Sequence, residues 1–248
     1  MEITEYLKTL AHEGELLADA AERAGTDALV ATCPEWRIAD LLRHTGSVHR
    51  WATRLVADGL LEPAPFPQAP ELAGGELAAW FREGHAALVR TLTEAPADVA
   101  CWTFLPSAPP SPLAFWARRQ AHETTVHRMD AESALGVEFE PVEAEFATDG
   151  VDELLTGFHA RPKSRVRTTE PRVLRVRASD TGAVWTVRLS PEPARTVRGD
   201  ADDTPADCTL TGEASWLYTA LWNRLPLTGP GVTGDAELAR LWTATAGI

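Results

Sequence analysis

The spacing of apolar residues is helical throughout the first part of this chain and changes character after Pro141, and that change limits the fold more than any other feature. Before it, apolar residues recur every three or four positions, as on one face of a helix. Ile3, Tyr6, Leu7, Leu10, Leu17 and Ala21 predict a first helix over about 2–24. A second follows Pro34, with Ile38, Leu41, Leu42, Val48, Ala52, Leu55 and Val56 as its stripe. Pro63, Pro65, Pro67 and Pro70, then Gly74-Gly75, mark a loop. A third helix covers about 76–93 through Leu77, Trp80, Phe81, Leu88 and Leu92. After a loop marked by Pro106, Pro109 and Pro110, Ser111-Pro112 reads as an N-cap with proline in the first turn. That fourth helix runs to about Leu135 and is stopped by Gly136.

Beyond Pro141 one more helical stretch is expected at about 144–159. Val173–Arg177 and Val184–Leu189 then alternate apolar and polar residues, as half-buried strands do. Thr196–Arg198 and Cys208–Leu210 are shorter strand candidates, and 213–224 and 235–246 return to helical character. The acidic stretch Asp200-Ala201-Asp202-Asp203 reads as a solvated turn. The expected class is α+β: four helices over 1–140, then a small α+β domain over 141–248.

Of the 248 residues, 36 are acidic and 23 basic, a net charge of −13 that argues against a nucleic-acid backbone or an anionic membrane as partner. No run approaches the ~20 apolar residues of a membrane span. Met1-Glu2-Ile3-Thr4-Glu5 lacks the basic start and apolar core of a signal peptide. Cys33, Cys101 and Cys208 are odd in number and far apart, with no Cys-x-x-Cys knuckle and no disulfide framework. A reducing cytoplasm is the expected location.

Chemistry concentrates in Ala121-His122-Glu123-Thr124-Thr125-Val126-His127. Glu123 and His127 are four apart, so on a helix they stack on one face and can share a metal ion. The zinc-protease pattern H-E-x-x-H does not apply, because it would need histidine where Val126 stands. His122 and His127 are five apart and point about 140° from each other at roughly 100° per residue. On a wheel, Leu113, Trp116, Ala117, Gln120, Glu123, Thr124, His127, Ala131 and Ala134 share a face, with Arg118, His122, Arg128 and Glu132 outside it. A carboxylate turned inward needs a partner, since burying it alone costs several kcal/mol. A metal ion meets that need; an intrahelical hydrogen bond to His127 is the plainer reading of the pair. His44 and His49 both flank the stripe of the second helix, and the wheel does not choose between them.

Three segments resemble one known family. Pro34-Glu35-Trp36-Arg37-Ile38-Ala39-Asp40-Leu41-Leu42-Arg43-His44 is similar to the start of the second helix in the mycothiol-dependent maleylpyruvate isomerase family. The segment from Phe115 to Glu132 is similar to its second signature. Leu210-Thr211-Gly212-Glu213-Ala214 through Leu221-Trp222-Asn223-Arg224, with Gly234-Asp235-Ala236, resembles its small C-terminal domain. The resemblance implies a DinB-like metal-binding four-helix bundle followed by a sterol-carrier-like domain. It implies His44, Glu123 and His127 as metal ligands, no ligand role for His49 or His122, and Arg224 as a catalytic residue. Thr45 departs from the pattern, where an aliphatic residue is common.

Two histidines and one carboxylate leave positions open on an ion, the arrangement of catalytic sites. Zinc suits these ligands, and nickel, cobalt or iron would also be accepted. The resemblance supplies mycothiol as thiol cosubstrate and a small electrophile as substrate. Addition to a C=C bond, rotation and elimination give cis–trans isomerisation; a different leaving group gives S-transfer. Arg118, Arg119 and Arg224 are candidates for an anionic substrate, and Trp36, Trp51 and Trp116 for pocket walls. The competing readings are a non-catalytic carrier of a hydrophobic ligand and a metal-dependent hydrolase.

Overall fold

The computed structural model describes residues 1–105, 110–199 and 204–247. Pro106 and Pro109 of the expected loop, and the acidic stretch Asp200–Asp203, lie outside them. The described residues form two compact units: 1–104 with 110–140, and 141–247 together with Leu105.

Four long helices build the first unit: α1 (Ile3–Ala24), α2 (Ile38–Ala57), α3 (Gly74–Glu94) and α4 (Pro112–Ser133). They coincide with the four segments marked by apolar spacing. The Ser111 hydroxyl accepts from the Ala114 amide at 3.1 Å, capping α4, and Pro112 sits where its missing N–H costs nothing. Beyond the last turn, Gly136 takes φ +65°, a conformation that ends helices and favours glycine. Helix α1 packs on α4 and α3, and α2 packs on α3 and α4, so α1 and α2 sit on a diagonal of the bundle. Leu17, Ile38, Leu41, Leu42, Leu77 and Phe81 are fully buried at its centre. Gly14 in α1 lets the His85 ring of α3 lie against the backbone, where a Cβ would overlap it.

Helix α4 corrects the wheel drawn from its sequence. Eighteen of its 22 residues are buried, so it has no broad solvent face. His122, Arg128 and Glu132, expected outside, are buried. The charges tolerate this because each is matched. Arg128 Nε donates to Glu13 at 2.8 Å, and its Nη1 donates to Glu132 at 2.6 Å and to the Glu140 carbonyl at 2.9 Å.

The second unit holds a five-stranded sheet in the order β3-β2-β1-β4-β5: β1 (Arg172–Ala178), β2 (Val184–Leu189), β3 (Arg195–Arg198), β4 (Cys208–Gly212) and β5 (Val232–Gly234). Neighbours are antiparallel except β1 and β4, which run parallel. The alternation in β1 buries Leu174, Val176 and Ala178 on one face. Helix α5 (Ala144–Asp152) runs into a π-helical turn (Glu153–Phe158) and packs on α6 (Ala214–Leu221); α7 (Ala236–Thr245) packs on β4 and β5. Strand β5 has only three residues and ends in glycine, too little pattern to read as a strand. No helix among the described residues is long and apolar enough to cross a membrane. The three cysteines are free thiols.

His159 follows the π-helical turn and is buried, its ring 4.6 Å from that of Trp242 and its Nδ1 3.0 Å from the Ser164 hydroxyl. Burial first, then Arg161, pulls its pKa down to about 4. The unfolded chain therefore takes up a proton near pH 6.5 that the folded chain refuses until about pH 4. Stability from this residue is complete above pH 6.5 and is lost as pH falls toward 4. Lowering the pH from 7 to 4.5 should cost about 2–3 kcal/mol through His159. Urea unfolding of the wild type and of His159→Gln at both pH values measures this; the variant should lose less stability over that interval by that amount.

Candidate metal centre

Two helices and one loop bring the centre together. Helix α2 places His44, and α4 places Glu123 and His127 one turn apart. His44 Nε2 lies 3.4 Å and His127 Nε2 3.3 Å from the same oxygen, Glu123 Oε1. All three donor atoms lie within 4.8 Å of one another. An N–H···O hydrogen bond is usually 2.7–3.2 Å long, so both contacts are stretched for one. They match instead the separation of about 3.4 Å between two ligands on a tetrahedral ion with bonds of 2.0–2.1 Å. The donor set and its spacing thus fit a divalent ion. The side chains of His44, Glu123 and His127 are 36%, 21% and 10% exposed, so the centre is open on the His44 side.

Each donor is held by a second contact. Arg119, one turn before Glu123 and buried, points Nη2 at Glu123 Oε2 at 3.3 Å, leaving Oε1 to the imidazoles. His127 Nδ1 lies 2.9 Å from Asp130 Oδ2, leaving Nε2 to the centre. Trp36, in the loop before α2, stacks on His127 with centroids 6.0 Å apart and planes at 23°, and lies 5.0 Å from the His44 ring. Burial alone would raise the Glu123 carboxyl, but the His127 and His44 imidazoles and the Arg119 charge outweigh it and hold its pKa well below the carboxylate range. Burial pulls His127 down, but Asp130 and Glu123 outweigh it and raise its pKa to about 9.

The other candidates lie elsewhere. His49, which the wheel left level with His44, is fully buried: its Nε2 is 2.9 Å from the Thr124 hydroxyl and its ring packs on Phe81 and His85. Burial, then His85, holds its pKa well below the usual value, so it is a neutral core residue. His122 is also fully buried and packs edge-on to Tyr6. Thr45, the departure from the family pattern, donates its hydroxyl to the Leu41 carbonyl at 3.0 Å within its own helix. Trp51 and Trp116 join Trp102 and Phe104 in an aromatic cluster and donate their indole N–H groups to the Ala64 and Trp102 carbonyls. Arg224 belongs to the second unit, just past α6, where its Nη1 donates to the Trp222 carbonyl at 2.7 Å. The reading of the sequence missed Asp130 and Thr32. Asp130 stands three residues after His127, a spacing that places it beside the ring, and that was the available signal.

Family models match on both sides of the unit boundary. The mycothiol maleylpyruvate isomerase N-terminal domain matches residues 7–132, and the MDMPI C-terminal domain matches residues 145–241. The chain belongs to the mycothiol maleylpyruvate isomerase family. Two solved structures share the fold of this family member, each over 94% of this chain and 92% of the other. One is the mycothiol-dependent maleylpyruvate isomerase, 11% identical with a TM-score of 0.60. The other is a histidine-to-alanine mutant of the mycothiol-dependent maleylpyruvate isomerase, 12% identical with a TM-score of 0.62. No curated protein matches the chain.

If the three convergent donors hold an ion in this family member, alanine at each should separate them from the histidines nearby. His44→Ala, Glu123→Ala and His127→Ala should each abolish stoichiometric zinc uptake, measured by elemental analysis after dialysis. His49→Ala and His122→Ala should retain one zinc per chain when circular dichroism shows an intact fold. Loss of zinc in His122→Ala with the fold intact would mean that a different face of α4 binds the metal.

Proposed function

We propose that this chain is a metal- and mycothiol-dependent enzyme that activates a thiol for cis–trans isomerisation or S-transfer on a small electrophile. The observation that carries this reading is the convergence of His44 Nε2, His127 Nε2 and Glu123 Oε1 at ion-ligand spacing, in a member of this family. His44, Glu123 and His127 would hold one divalent ion, for which zinc suits the donors. When bound, such an ion supplies positive charge that stabilises a thiolate at neutral pH. A free thiol with a pKa near 8.5 is only a few per cent thiolate at about pH 7, so this stabilisation matters for rate.

The chain's own residues arrange the rest. Arg119 fixes the Glu123 carboxylate so that one oxygen faces the imidazoles. Trp36 sets an apolar ring against both histidines. The half-exposed His44 leaves an approach for cosubstrate and substrate. The thiolate adds to an activated C=C bond, its electron pair making the C–S bond while the π pair moves onto the neighbouring carbonyl. Rotation about the resulting single bond and return of that pair expel the thiolate and leave the trans alkene. Expulsion of another group in place of the thiolate gives S-transfer by the same first step. Arg224, by the family pattern, is the cation assigned to an anionic substrate group.

The wild type should turn over activated cis-alkenes carrying a carboxylate only with mycothiol present, and chelation should remove that activity. Glu123→Ala should lose metal and turnover together. Arg224→Ala should keep its metal and lose about 10–100-fold in kcat/KM for anionic substrates, the worth of one charged hydrogen bond of about 1.5–3 kcal/mol. Equal turnover without any thiol would reject thiol activation and favour a metal-dependent hydrolase. Unchanged ligand binding by a metal-free, inactive protein would favour the carrier reading.

A further inference from the structure

We propose that Asp130, braced by Thr32 from the loop between α1 and α2, is a positioning residue that fixes His127 with its proton on Nδ1 and its Nε2 lone pair aimed at the metal centre. This inference rests on the metal reading given above and assigns a role to two residues that do not contact the ion.

Asp130 is fully buried, so its carboxylate must spend both oxygens on partners. Oδ2 lies 2.9 Å from His127 Nδ1. Oδ1 accepts from the Thr32 hydroxyl at 2.6 Å, across 98 positions of sequence. An ionised carboxylate only accepts, so the hydrogen in the Asp130–His127 contact belongs to Nδ1. In the neutral imidazole that leaves the lone pair on Nε2, the atom 3.3 Å from Glu123 Oε1. Outer carboxylates of this kind set the tautomer and ring orientation of ligating histidines.

Thr32 is itself held in place. Its amide donates to Ser133 Oγ at 3.4 Å, and the Ser133 hydroxyl donates to the Asp130 carbonyl at 2.7 Å. The loop around it is cross-tied by Val30 N to Trp36 O at 3.0 Å, Cys33 N to Val30 O at 3.0 Å and Trp36 N to Cys33 O at 2.8 Å. The same loop carries Trp36, whose ring stacks on His127. One short, tied loop therefore sets His127 twice, through the Thr32–Asp130 hydrogen bond and through the Trp36 face. His44, more exposed and not beside a carboxylate other than Glu123 among the described residues, has no such brace.

The test measures zinc affinity of the full chain by competition with a chromophoric chelator, alongside long-range 1H–15N NMR of the metal-free protein above about pH 10, where the His127 ring is neutral and its single proton can be placed. Asp130→Ala should weaken zinc by about 10–100-fold. Thr32→Val, which removes one hydroxyl and keeps the shape, should weaken it by about 2–10-fold, and Thr32→Ser should restore wild-type affinity. The NMR should show the His127 proton on Nδ1 in the wild type and moved to Nε2 in Asp130→Ala, a change that general loosening of the fold does not produce. If Asp130→Ala fails to fold, Asp130→Asn and Thr32→Val carry the test, each expected to bind zinc more weakly than the wild type. Wild-type affinity in the Asp130 and Thr32 variants, or an Nε2–H tautomer in the wild type, would overturn the positioning role and leave the metal reading standing. A wild type that takes up no zinc would instead overturn the metal reading and this inference with it.

Discussion

A helix buried on nearly every side cannot leave a charge unmatched, and α4 buries more ionisable side chains than any other helix among the described residues. Its solution is local pairing. Arg128 is neutralised by Glu13 and Glu132, Arg119 faces Glu123, and His127 faces Asp130. One oxygen stands apart from this pairing. Glu123 Oε1 stands between two imidazole nitrogens at distances too long for good hydrogen bonds and right for ligands on one ion. The proposed metal centre is thus the place where α4's pairing scheme would accept a cation.

The same constraint explains the architecture around the centre. Helix α4 contacts both α1 and α2, so it can receive Glu13 on one side and His44 on the other. The loop crossing from α1 to α2 spans a diagonal of the bundle, and this brings Thr32 against Asp130 and Trp36 against His127. Thr45 and Thr125 return their protons to carbonyls one turn back in their own helices, so neither competes for the centre.

Much of this was legible in the sequence. Apolar spacing marked all four long helices, and Ser111-Pro112 and Gly136 marked the ends of α4, because caps and periodicity are local properties. Glu123 and His127 were legible as a pair for the same reason. The choice of His44 over His49 was not, since both flank one stripe; it depends on which side of α2 meets α4, and only the family resemblance pointed to it. The wheel misplaced His122, Arg128 and Glu132 because it assumed a single inward face, and a helix packed on several sides has none. The Thr32–Asp130 contact spans 98 positions and has no sequence pattern of its own. In the second unit the alternating strands β1 and β2 were clear, whereas β5 was too short to read and the parallel pairing of β1 with β4 is a tertiary choice.

X-ray absorption at the zinc edge tests the central claim most directly. The zinc-loaded wild type, with no thiol added, should show a shell of nitrogen and oxygen neighbours at about 2.0–2.2 Å and the multiple scattering of two imidazole rings, falling to one ring in whatever zinc His44→Ala retains. A spectrum with no imidazole scattering, or with sulfur neighbours drawn from the cysteines, would contradict the site.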